Sequence, residues 1–196
     1  MEGMVNPAAW SGKKVLVTGH TGFKGSWLCH WLADMGAEVT GYALLPTSAH
    51  ALFDCIDLND RVSSIIADIN DEKRLSEVVR ECSPDVVFHL AAQSLVRLGY
   101  QNPVETFTTN VVGTANVLNA LQAVDHACDV VIITSDKCYE NREWIWPYRE
   151  NEPMGGHDPY SSSKACAELV TSAYRHSFLS EKGVQLASVR AGNVIG

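Results

Sequence analysis

Short runs of apolar, mostly β-branched residues alternate along the chain with longer segments of mixed polarity. The runs are short enough to be strands, and they cover residues 13–19, 38–44, 63–68, 85–91, 129–135 and 184–190. Several are apolar at consecutive positions, which predicts strands that are buried on both faces. The segments between them have helical spacing and would serve as crossovers between parallel strands. We therefore expect an α/β fold with a doubly wound parallel sheet.

The segment after the first run predicts a helix that packs on this sheet. Apolar side chains recur at every fourth position of residues 23–36, and two leucines widen the stripe. Gly36 is placed to end the helix, because glycine readily adopts the left-handed conformation found at helix ends. The stripe consists of Phe23, Trp27, Trp31, Met35, Leu28 and Leu32. We expect this face to be the buried one.

The least regular stretch covers residues 139–159, between the fifth predicted strand and the next helix. Loops of this length are usually functional or disordered. The sequence stops at residue 196, directly after the last predicted strand, where a doubly wound sheet normally continues at its ligand-binding edge. We therefore expect a single domain, residues 1–196, and interpret the sequence as a fragment.

Composition and charge exclude several classes of protein. The chain has 196 residues, 46% of them hydrophobic, which suffices for one buried core. A formal net charge of −8 and the lack of a dense Lys/Arg run argue against a nucleic-acid partner. The sequence contains neither a signal peptide nor an apolar run long enough to cross a bilayer. We expect no membrane partner and a cytoplasmic location.

The cysteines show neither a C-x-x-C pairing nor an accompanying pair of histidines. We expect no metal site and no disulfide framework, and interpret the cysteines as small core residues in a reducing compartment. They are Cys29, Cys55, Cys82, Cys128, Cys138 and Cys166.

Directly after the first predicted strand, the stretch VTGHTGFKG places Gly19, Gly22 and Gly25 three residues apart. A strand, a glycine loop and a helix in this order point backbone N–H groups and the positive end of the helix at an anion. Gly19 would allow the tight turn, Gly22 the close approach of a pyrophosphate, and Gly25 close packing of the helix. We expect a dinucleotide-binding turn rather than a purely structural one.

The expected dinucleotide is NAD. An acidic residue usually ends the second strand and binds the ribose 2′-OH of NAD, yet residues 41–46 contain none. They also contain no arginine that could bind the 2′-phosphate of NADP. NAD is therefore favoured over NADP. Two interpretations stay open for His20: a harmless surface side chain, or one that crowds the pyrophosphate and weakens its binding.

The spacing G-x-x-G-x-x-G and the stretch TGHTGFKG resemble the extended branch of the short-chain dehydrogenase/reductases, which implies a Rossmann-type fold. The resemblance also implies that Asp68 and Ile69 clamp the adenine, and that Asn110 is a buried polar tie. The remaining cofactor contacts that it implies lie in the glycine loop and at two strand ends: Gly19, His20, Thr21, Gly22, Phe23, Lys24, Gly25, Leu90, Ala91, Ala92 and Thr134.

The stretch YSSSK places Tyr160 and Lys164 four residues apart, so both belong on one face of a helix. Asp158 and Pro159 supply the residues that favour the start of such a helix. A phenol has a pKa of about 10 and needs a nearby cation to act as a base at neutral pH. In the family that the chain resembles, the lysine fills this role and also holds the nicotinamide ribose, while Ser135 would bond the oxygen being oxidised.

Asp136 and Lys137 follow Ser135 directly, and an acid–base dipeptide at this place is typical of the sugar nucleotide 4,6-dehydratases. Most of these enzymes have Asp-Glu, whereas Asp-Lys resembles the branch that acts on CDP-glucose. Further matching stretches are GHTGFKG, AAQSLVRLGYQNP, EWIWPYREN and VRAGNVIG. The resemblance implies that Tyr160 takes the proton of the 4-hydroxyl, Lys137 removes the C5 proton, and Asp136 protonates the leaving 6-hydroxyl.

The same resemblance implies that Ser94, Ser135, Arg190 and Asn193 contact a nucleotide-sugar substrate. A domain after residue 196 would complete that site, and the enzyme would be a homo-oligomer. Two alternatives remain open. A nucleotide-sugar 4-epimerase would not eliminate water and has no need of Asp136 and Lys137, and a noncatalytic dinucleotide-binding module has no need of Ser135, Tyr160 and Lys164 together.

Overall fold

The computed structural model describes residues 6–46, 48 and 50–194, in which six strands form one sheet with helices on both faces. The strands are β1 (Lys14–Thr18), β2 (Glu38–Ala43), β3 (Ser63–Ile66), β4 (Val86–His89), β5 (Cys128–Ser135) and β6 (Val184–Ala191). Their order across the sheet is β3-β2-β1-β4-β5-β6, and every neighbouring pair is parallel. This is the order of a doubly wound Rossmann-type sheet, so the predicted fold class is confirmed.

The strands are connected by helices of very different length. The helices are α1 (Phe23–Asp34), α2 (Leu52–Cys55), α3 (Glu72–Cys82), α4 (Val96–Gln101), α5 (Pro103–Phe107), α6 (Gly113–Ala120) and α7 (Pro159–Tyr174). A π-helical turn, Thr108–Val112, joins α5 and α6 into one helical segment, and a second one, Arg175–Leu179, follows α7. Single 3-10 turns lie at Pro7–Ala9, Leu58–Asp60, Leu121–Ala123, Asp136–Cys138 and Ser180–Lys182.

Alternate residues of the central strand β1 face opposite layers of the molecule. Leu16 packs in a core that includes Leu75 of α3 and Leu118 of α6, and all three are fully buried. Val15 and Val17 point to the other side and pack in a second core with residues of α1 and α2. Because β1 is covered on both faces, its continuous apolar run was a good signal for a parallel strand.

The orientation of α1 differs from the prediction. Its buried residues are Gly25, Ser26, Cys29 and Leu32, whereas the predicted aromatic stripe is largely exposed. The reason is steric: a Cβ on Gly25 would lie 2.1 Å from the carbonyl oxygen of Gly19. Glycine therefore has to face the turn after β1, and this contact rotates the small side chains inward. Trp27 and Trp31 are left 44% and 53% exposed.

The predicted helix ends agree with the structure. Asp158 caps α7 by accepting a hydrogen bond from the backbone N–H of Ser161 at 3.0 Å, and Pro159 is the first helical residue. Gly36 follows the end of α1 with a φ of +84°, the left-handed conformation that glycine adopts without strain.

All six cysteines are free thiols, but they are not all core residues as predicted. Cys29, Cys128 and Cys138 are buried, whereas Cys55 is exposed at the end of α2. Within the residues that the structure describes, no helix is both long enough and apolar enough to span a bilayer.

The orientation of α1 leads to a prediction about two neighbouring residues. Leu32→Ala should lower the free energy of unfolding by about 2–5 kcal/mol, because it empties part of the second core. Trp31→Ala should cost about 1 kcal/mol or less, since the larger side chain is half exposed. Urea unfolding followed by circular dichroism measures both. Equal losses in the two variants would show that the aromatic stripe is buried after all.

Candidate active site

The glycine turn has the geometry of an anion cradle. Gly19 has a φ of +77°, and a Cβ there would lie 2.7 Å from the backbone nitrogen of Ala91. Gly25 allows α1 to reach the turn, so the predicted roles of both glycines are confirmed. A Cβ on Gly22 would meet only the Gly19 carbonyl oxygen, at 3.3 Å. The cradle is therefore closed on the protein side by the first and third glycines and open beside the second.

The amino-terminal end of α1 fits a bound pyrophosphate. Gly22 is the residue before the helix, and no side chain caps the first turn, so its backbone N–H groups remain available to an anion. Lys24 adds a half-buried positive charge at the same end. Thr21 donates a hydrogen bond from Oγ1 to the carbonyl oxygen of Leu44 at 2.8 Å, which holds the loop against the end of β2. These features suit the phosphates of a dinucleotide.

The structure agrees with neither of the two interpretations of His20 that the sequence left open. It is fully buried, so it is not a surface residue. Its ring lies over Gly41 of β2, packs edge-on against Phe53, and makes a 2.8 Å hydrogen bond between Nε2 and Oγ of Ser64. Because the imidazole points into the protein, only the backbone of His20 is available to the cradle. Burial lowers the pKa of His20 to about 4.

At the end of β4, His89 fixes the segment that lies beside the glycine turn. Its Nδ1 accepts from Oγ1 of Thr18 at 2.7 Å, and its Nε2 donates to Oγ1 of Thr114 at 3.1 Å, because the Thr114 hydroxyl proton goes to the carbonyl of Asn110. Oγ1 of Thr18 in turn accepts from the backbone nitrogen of Ala91. These partners favour a neutral ring. Burial and the charge of Lys164 lower the pKa of His89 to about 3.

Asn110 is the buried tie that the resemblance implied. It is 1% exposed, accepts from the backbone N–H of Gln93 at 2.8 Å, and donates to the Gln93 carbonyl and to Oγ of Ser163. One side chain thus joins the segment after β4 to α7. Leu90, Ala91 and Ala92 lie in this segment and are partly buried at the edge of the sheet where the turn lies.

The two residues proposed for the adenine have different environments. Asp68 is exposed after β3, and its carboxylate accepts from the backbone and the side chain of Asn70 at 2.9 and 3.0 Å. The side chain of Ile69 is buried against Gly113, and its carbonyl accepts from Asn116. The carboxylate of Asp68 is thus accessible, whereas the side chain of Ile69 is not.

At the end of β5, Ser135 stands next to an ion pair. Ser135 is 5% exposed and its Oγ donates to Oδ1 of Asp136 at 3.1 Å. The same carboxylate oxygen is 3.3 Å from Nζ of Lys137, and both charged side chains are about half exposed. Gly192 after β6 is also close, since a Cβ there would lie 3.5 Å from Oδ2 of Asp136. A hydroxyl, an acid and an amine therefore share one accessible corner of the sheet.

Helix α7 brings Lys164 to β5 near its end, and Tyr160 lies one helical turn earlier on the same face. Tyr160 is partly exposed, while Lys164 is 7% exposed and donates from Nζ to the carbonyl oxygen of Ile133 at 3.2 Å. Burial and the nearby charge of Lys24 lower the pKa of Lys164 to about 8, and the carboxylate of Glu168 opposes this shift. The two lysines are therefore close enough for their charges to repel, so the glycine turn lies near the Lys164 side of α7.

The residues proposed for the substrate side are only partly together. Asn193 is exposed and follows Gly192, beside the Asp136 corner, and Ser94 is exposed before α4. Arg190 differs, because its guanidinium is bound within the protein and is only 18% exposed. It donates to Glu168 at 2.9 Å, to the hydroxyl of Tyr139 at 2.8 Å and to the carbonyl of Glu150 at 2.9 Å. In this arrangement three of the five N–H donors of Arg190 hold neighbouring elements together, and its contact with a substrate stays a prediction.

Glu168 was missed in the sequence, although it continues the spacing of Tyr160 and Lys164 by four more residues. It is 7% exposed on α7 and accepts hydrogen bonds from Thr134, Ser188 and Arg190. Burial opposes ionisation, but these donors outweigh it and lower the pKa of the carboxyl. Thr134, which the resemblance placed at the cofactor, is 3% exposed, and its hydroxyl donates a hydrogen bond to Glu168.

Comparisons with known proteins point to one family. The sequence model described as GDP-mannose 4,6 dehydratase matches residues 16–187. The CDP-glucose 4,6-dehydratase of Salmonella typhimurium is 57% identical over 98% of this chain and 55% of its own length. The GDP-mannose 4,6-dehydratase of Yersinia enterocolitica is 29% identical over 85% of the chain and 46% of its own length. The chain thus spans about half the length of these two curated relatives.

Solved structures agree on the fold. The UDP-glucose 4-epimerase of Brucella ovis in complex with NAD matches with a TM-score of 0.79 and 26% identity, over 93% of this chain and 52% of that one. An epimerase from Methanothermobacter thermautotrophicus matches with the same TM-score and 30% identity, over 94% and 52%.

The buried histidines predict how stability depends on pH. His20 and His89 stay neutral in the folded protein, but in the unfolded chain they take up protons below a pKa of about 6.5. The unfolded state therefore binds more protons, and the free energy of unfolding should fall by about 2 kcal/mol per histidine between pH 6.5 and pH 5. Urea unfolding at several pH values measures this slope.

The variant His89→Gln should lose the contribution of one histidine, whatever its stability at pH 7. Thr18→Val is the matched control, because it removes a hydrogen bond to the ring and keeps the buried imidazole. Its slope should stay close to that of the unaltered protein. If His89→Gln has the same slope as the unaltered protein, His89 takes up its proton over the same pH range in the folded and unfolded states, and burial does not keep it neutral.

Proposed function

The chain belongs to the GDP-mannose 4,6-dehydratase family, and on this basis we propose that it is the NAD-binding portion of a CDP-glucose 4,6-dehydratase. The single observation that carries the proposal is the corner at the end of β5, where Ser135, Asp136 and Lys137 lie at the edge reached by Tyr160 and Lys164. An oxidation needs only a hydroxyl, a tyrosine and a lysine. The additional acid and amine are what an elimination of water requires.

NAD is proposed to bind across the glycine cradle. The N–H groups at the start of α1 and Lys24 would hold the pyrophosphate, Asp68 the adenine, and Lys164 the nicotinamide ribose. Bound NAD⁺ would supply the reversible two-electron acceptor, so that a hydride leaves C4 and is later added at C6 while C5 takes back a proton.

Oxidation at C4 would start at Tyr160, which takes the proton of the 4-hydroxyl as its base. Lys164 would place a positive charge on the same helix face, and the Ser135 hydroxyl would turn from Asp136 to donate its one hydrogen bond to the oxygen at C4. The resulting ketone acidifies the neighbouring C5–H. From this point an acid and a base are needed at C5 and C6.

Asp136 and Lys137 can supply both from the single transferable proton of their ion pair. If this proton moves from Lys137 to Asp136, a neutral amine and a neutral carboxylic acid result. The amine removes the proton from C5, and the acid protonates the departing 6-hydroxyl, so that water leaves and a C5–C6 double bond forms. Both side chains then carry their charges again, and no proton has been gained or lost by the pair.

The proposal includes a homo-oligomer in the cytoplasm. Apolar side chains on α4, α5 and α7 support association, since Tyr100, Val104 and Leu169 are 66%, 78% and 60% exposed. A second candidate is a nucleotide-sugar 4-epimerase, which is favoured by the names of the solved structures of similar fold. An epimerase would interconvert sugars without releasing water, so product analysis distinguishes the two.

Lys137→Met tests the elimination step. In the protein at its full natural length, the variant should still oxidise CDP-glucose at C4, because Ser135, Tyr160 and Lys164 remain. Loss of the base should slow elimination by about 10²–10⁴-fold. Absorbance of the reduced nicotinamide should then persist in a single turnover, and solvent deuterium should not enter C5.

Lys182→Met is the matched control for charge, because Lys182 lies in the 3-10 turn after α7 and its amine contacts only the carbonyl of Gln122 among the described residues. It should form the 4-keto-6-deoxy product at the normal rate. If Lys137→Met does the same, Lys137 is a charged residue at a strand end and the dehydratase proposal fails.

Tyr160→Phe tests the oxidation step, since it removes one hydroxyl and no carbon. The rate of C4 oxidation should fall by about 10²–10⁴-fold, while the thermal unfolding transition stays in place. Tyr100→Phe, on the exposed face of α4, controls for the loss of a phenol. Normal reduction of the cofactor by the Tyr160→Phe variant would exclude Tyr160 as the base.

A further inference from the structure

The buried carboxylate of Glu168 joins three parts of the molecule that are far apart in sequence. It lies on α7 and accepts from Oγ1 of Thr134 on β5, from Oγ of Ser188 at 2.9 Å, and from Nη2 of Arg190 at 2.9 Å on β6. Its two oxygens are therefore bonded to two hydroxyls and one guanidinium, which meets the requirement for a charge at this depth. No step of the proposed reaction uses Glu168.

The position of these contacts relates Glu168 to the reacting groups. Tyr160, Lys164 and Glu168 are spaced four residues apart and so share one face of α7. Lys164 contacts the carbonyl of Ile133, and Glu168 contacts the hydroxyl of Thr134. These two strand residues directly precede Ser135. Polar contacts at consecutive residues thus fix how far α7 can slide along β5, and hence where Tyr160 lies relative to the Ser135 hydroxyl.

Through Arg190, the same carboxylate also reaches the irregular segment after the acid–base pair. The guanidinium donates to Tyr139 Oη and to the carbonyl of Glu150, and lies 4.9 Å from the centre of the Tyr139 ring. Tyr139 stacks on Tyr148 with a centroid distance of 5.1 Å. Arg190 therefore holds the segment that follows Asp136 and Lys137 against β6. Glu168 balances the charge of this arginine.

We infer that Glu168 is a positioning residue: its carboxylate holds the Tyr160–Lys164 face of α7 at the end of β5, with its negative charge on the same helix face as the Lys164 amine. The inference deepens the proposed function and rests on it for the reaction that is measured.

The charges around Lys164 give this role a measurable consequence. Lys24 faces the amine from α1, neutral His89 faces it from β4, Tyr160 shares its helix face, and Glu168 is the neighbouring carboxylate. Burial and Lys24 favour loss of the Lys164 proton, while Glu168 favours its retention. Removal of the Glu168 charge should therefore lower the pKa of Lys164 below its present value of about 8. The alkaline limb of the pH–rate profile should move to lower pH by about half a unit or more.

Glu168→Gln in the protein at its full natural length tests the inference, with the oxidation of CDP-glucose at C4 followed in single turnovers from pH 6 to pH 10. Glu181→Gln is the matched control, because Glu181 is an exposed carboxylate in the 3-10 turn that follows α7. The alkaline limb should move in Glu168→Gln and stay in place in Glu181→Gln. If the limb stays in place in Glu168→Gln, where the negative charge is lost, the carboxylate does not act on the Lys164 amine and the inference is overturned.

A second measurement separates this inference from the proposed function. Reductive ¹³C-methylation of the lysines, followed by NMR titration of the Lys164 signal, gives the pKa of Lys164 without turnover. If the unaltered protein does not convert CDP-glucose, the proposed function fails, and the titration alone decides. A lower pKa of Lys164 in Glu168→Gln than in Glu181→Gln supports the inference, and equal values overturn it.

Glu168→Asp covers the case in which the amide variant does not fold. The shorter side chain keeps the charge but cannot reach Thr134 and Arg190 together, so the limb should stay in place while the rate falls at least tenfold. An unchanged rate in Glu168→Asp would overturn the positioning role.

Discussion

The contact between Gly25 and the carbonyl oxygen of Gly19 is the constraint on which the nucleotide-binding half of the sheet depends. A methyl group on Gly25 would overlap that oxygen, so α1 can lie this close to the turn after β1 only when the position carries no side chain. Because α1 lies this close to the turn, the backbone N–H groups of its first turn, which no side chain caps, point past Gly22. It also sets the rotation of the helix, which buries Ser26, Cys29 and Leu32 and leaves the tryptophans outside. One steric limit thus accounts for both the cradle and the face that α1 presents to solvent.

Around α7, buried polar side chains hold the elements in position, whereas close backbone packing does so at the glycine turn. Asn110 joins the segment after β4 to α7, and Glu168 joins α7 to β5 and β6. Both side chains are buried, and the donors and acceptors around them come from different elements. Because an unpaired polar group at such depth is costly, each tie allows essentially one arrangement of the elements it connects. The accessible corner formed by Ser135, Asp136 and Lys137 therefore rests on a rigid base.

Much of this could be predicted from the sequence, for reasons that differ from residue to residue. The six strands and the turn at Gly19 are encoded locally, by apolar runs and by the need for a positive φ. The rotation of α1 could not be predicted from its apolar period, because the contact that decides it lies outside the helix. The contact between Arg190 and Glu168 could not be predicted either, because the two side chains bond each other across 22 residues of sequence. Their pairing becomes visible only when β6 and α7 are placed side by side.

The packing of His20 on Gly41 has a consequence for how such a chain can change over evolutionary time. A Cβ at position 41 would lie 2.3 Å from the imidazole ring, so no side chain fits there while the histidine is present. A substitution at position 41 must come after, or together with, the replacement of His20 by a smaller residue. The two positions, one in the turn after β1 and the other on β2, are therefore sterically coupled, and a side chain at position 41 depends on the prior or simultaneous loss of the imidazole at position 20.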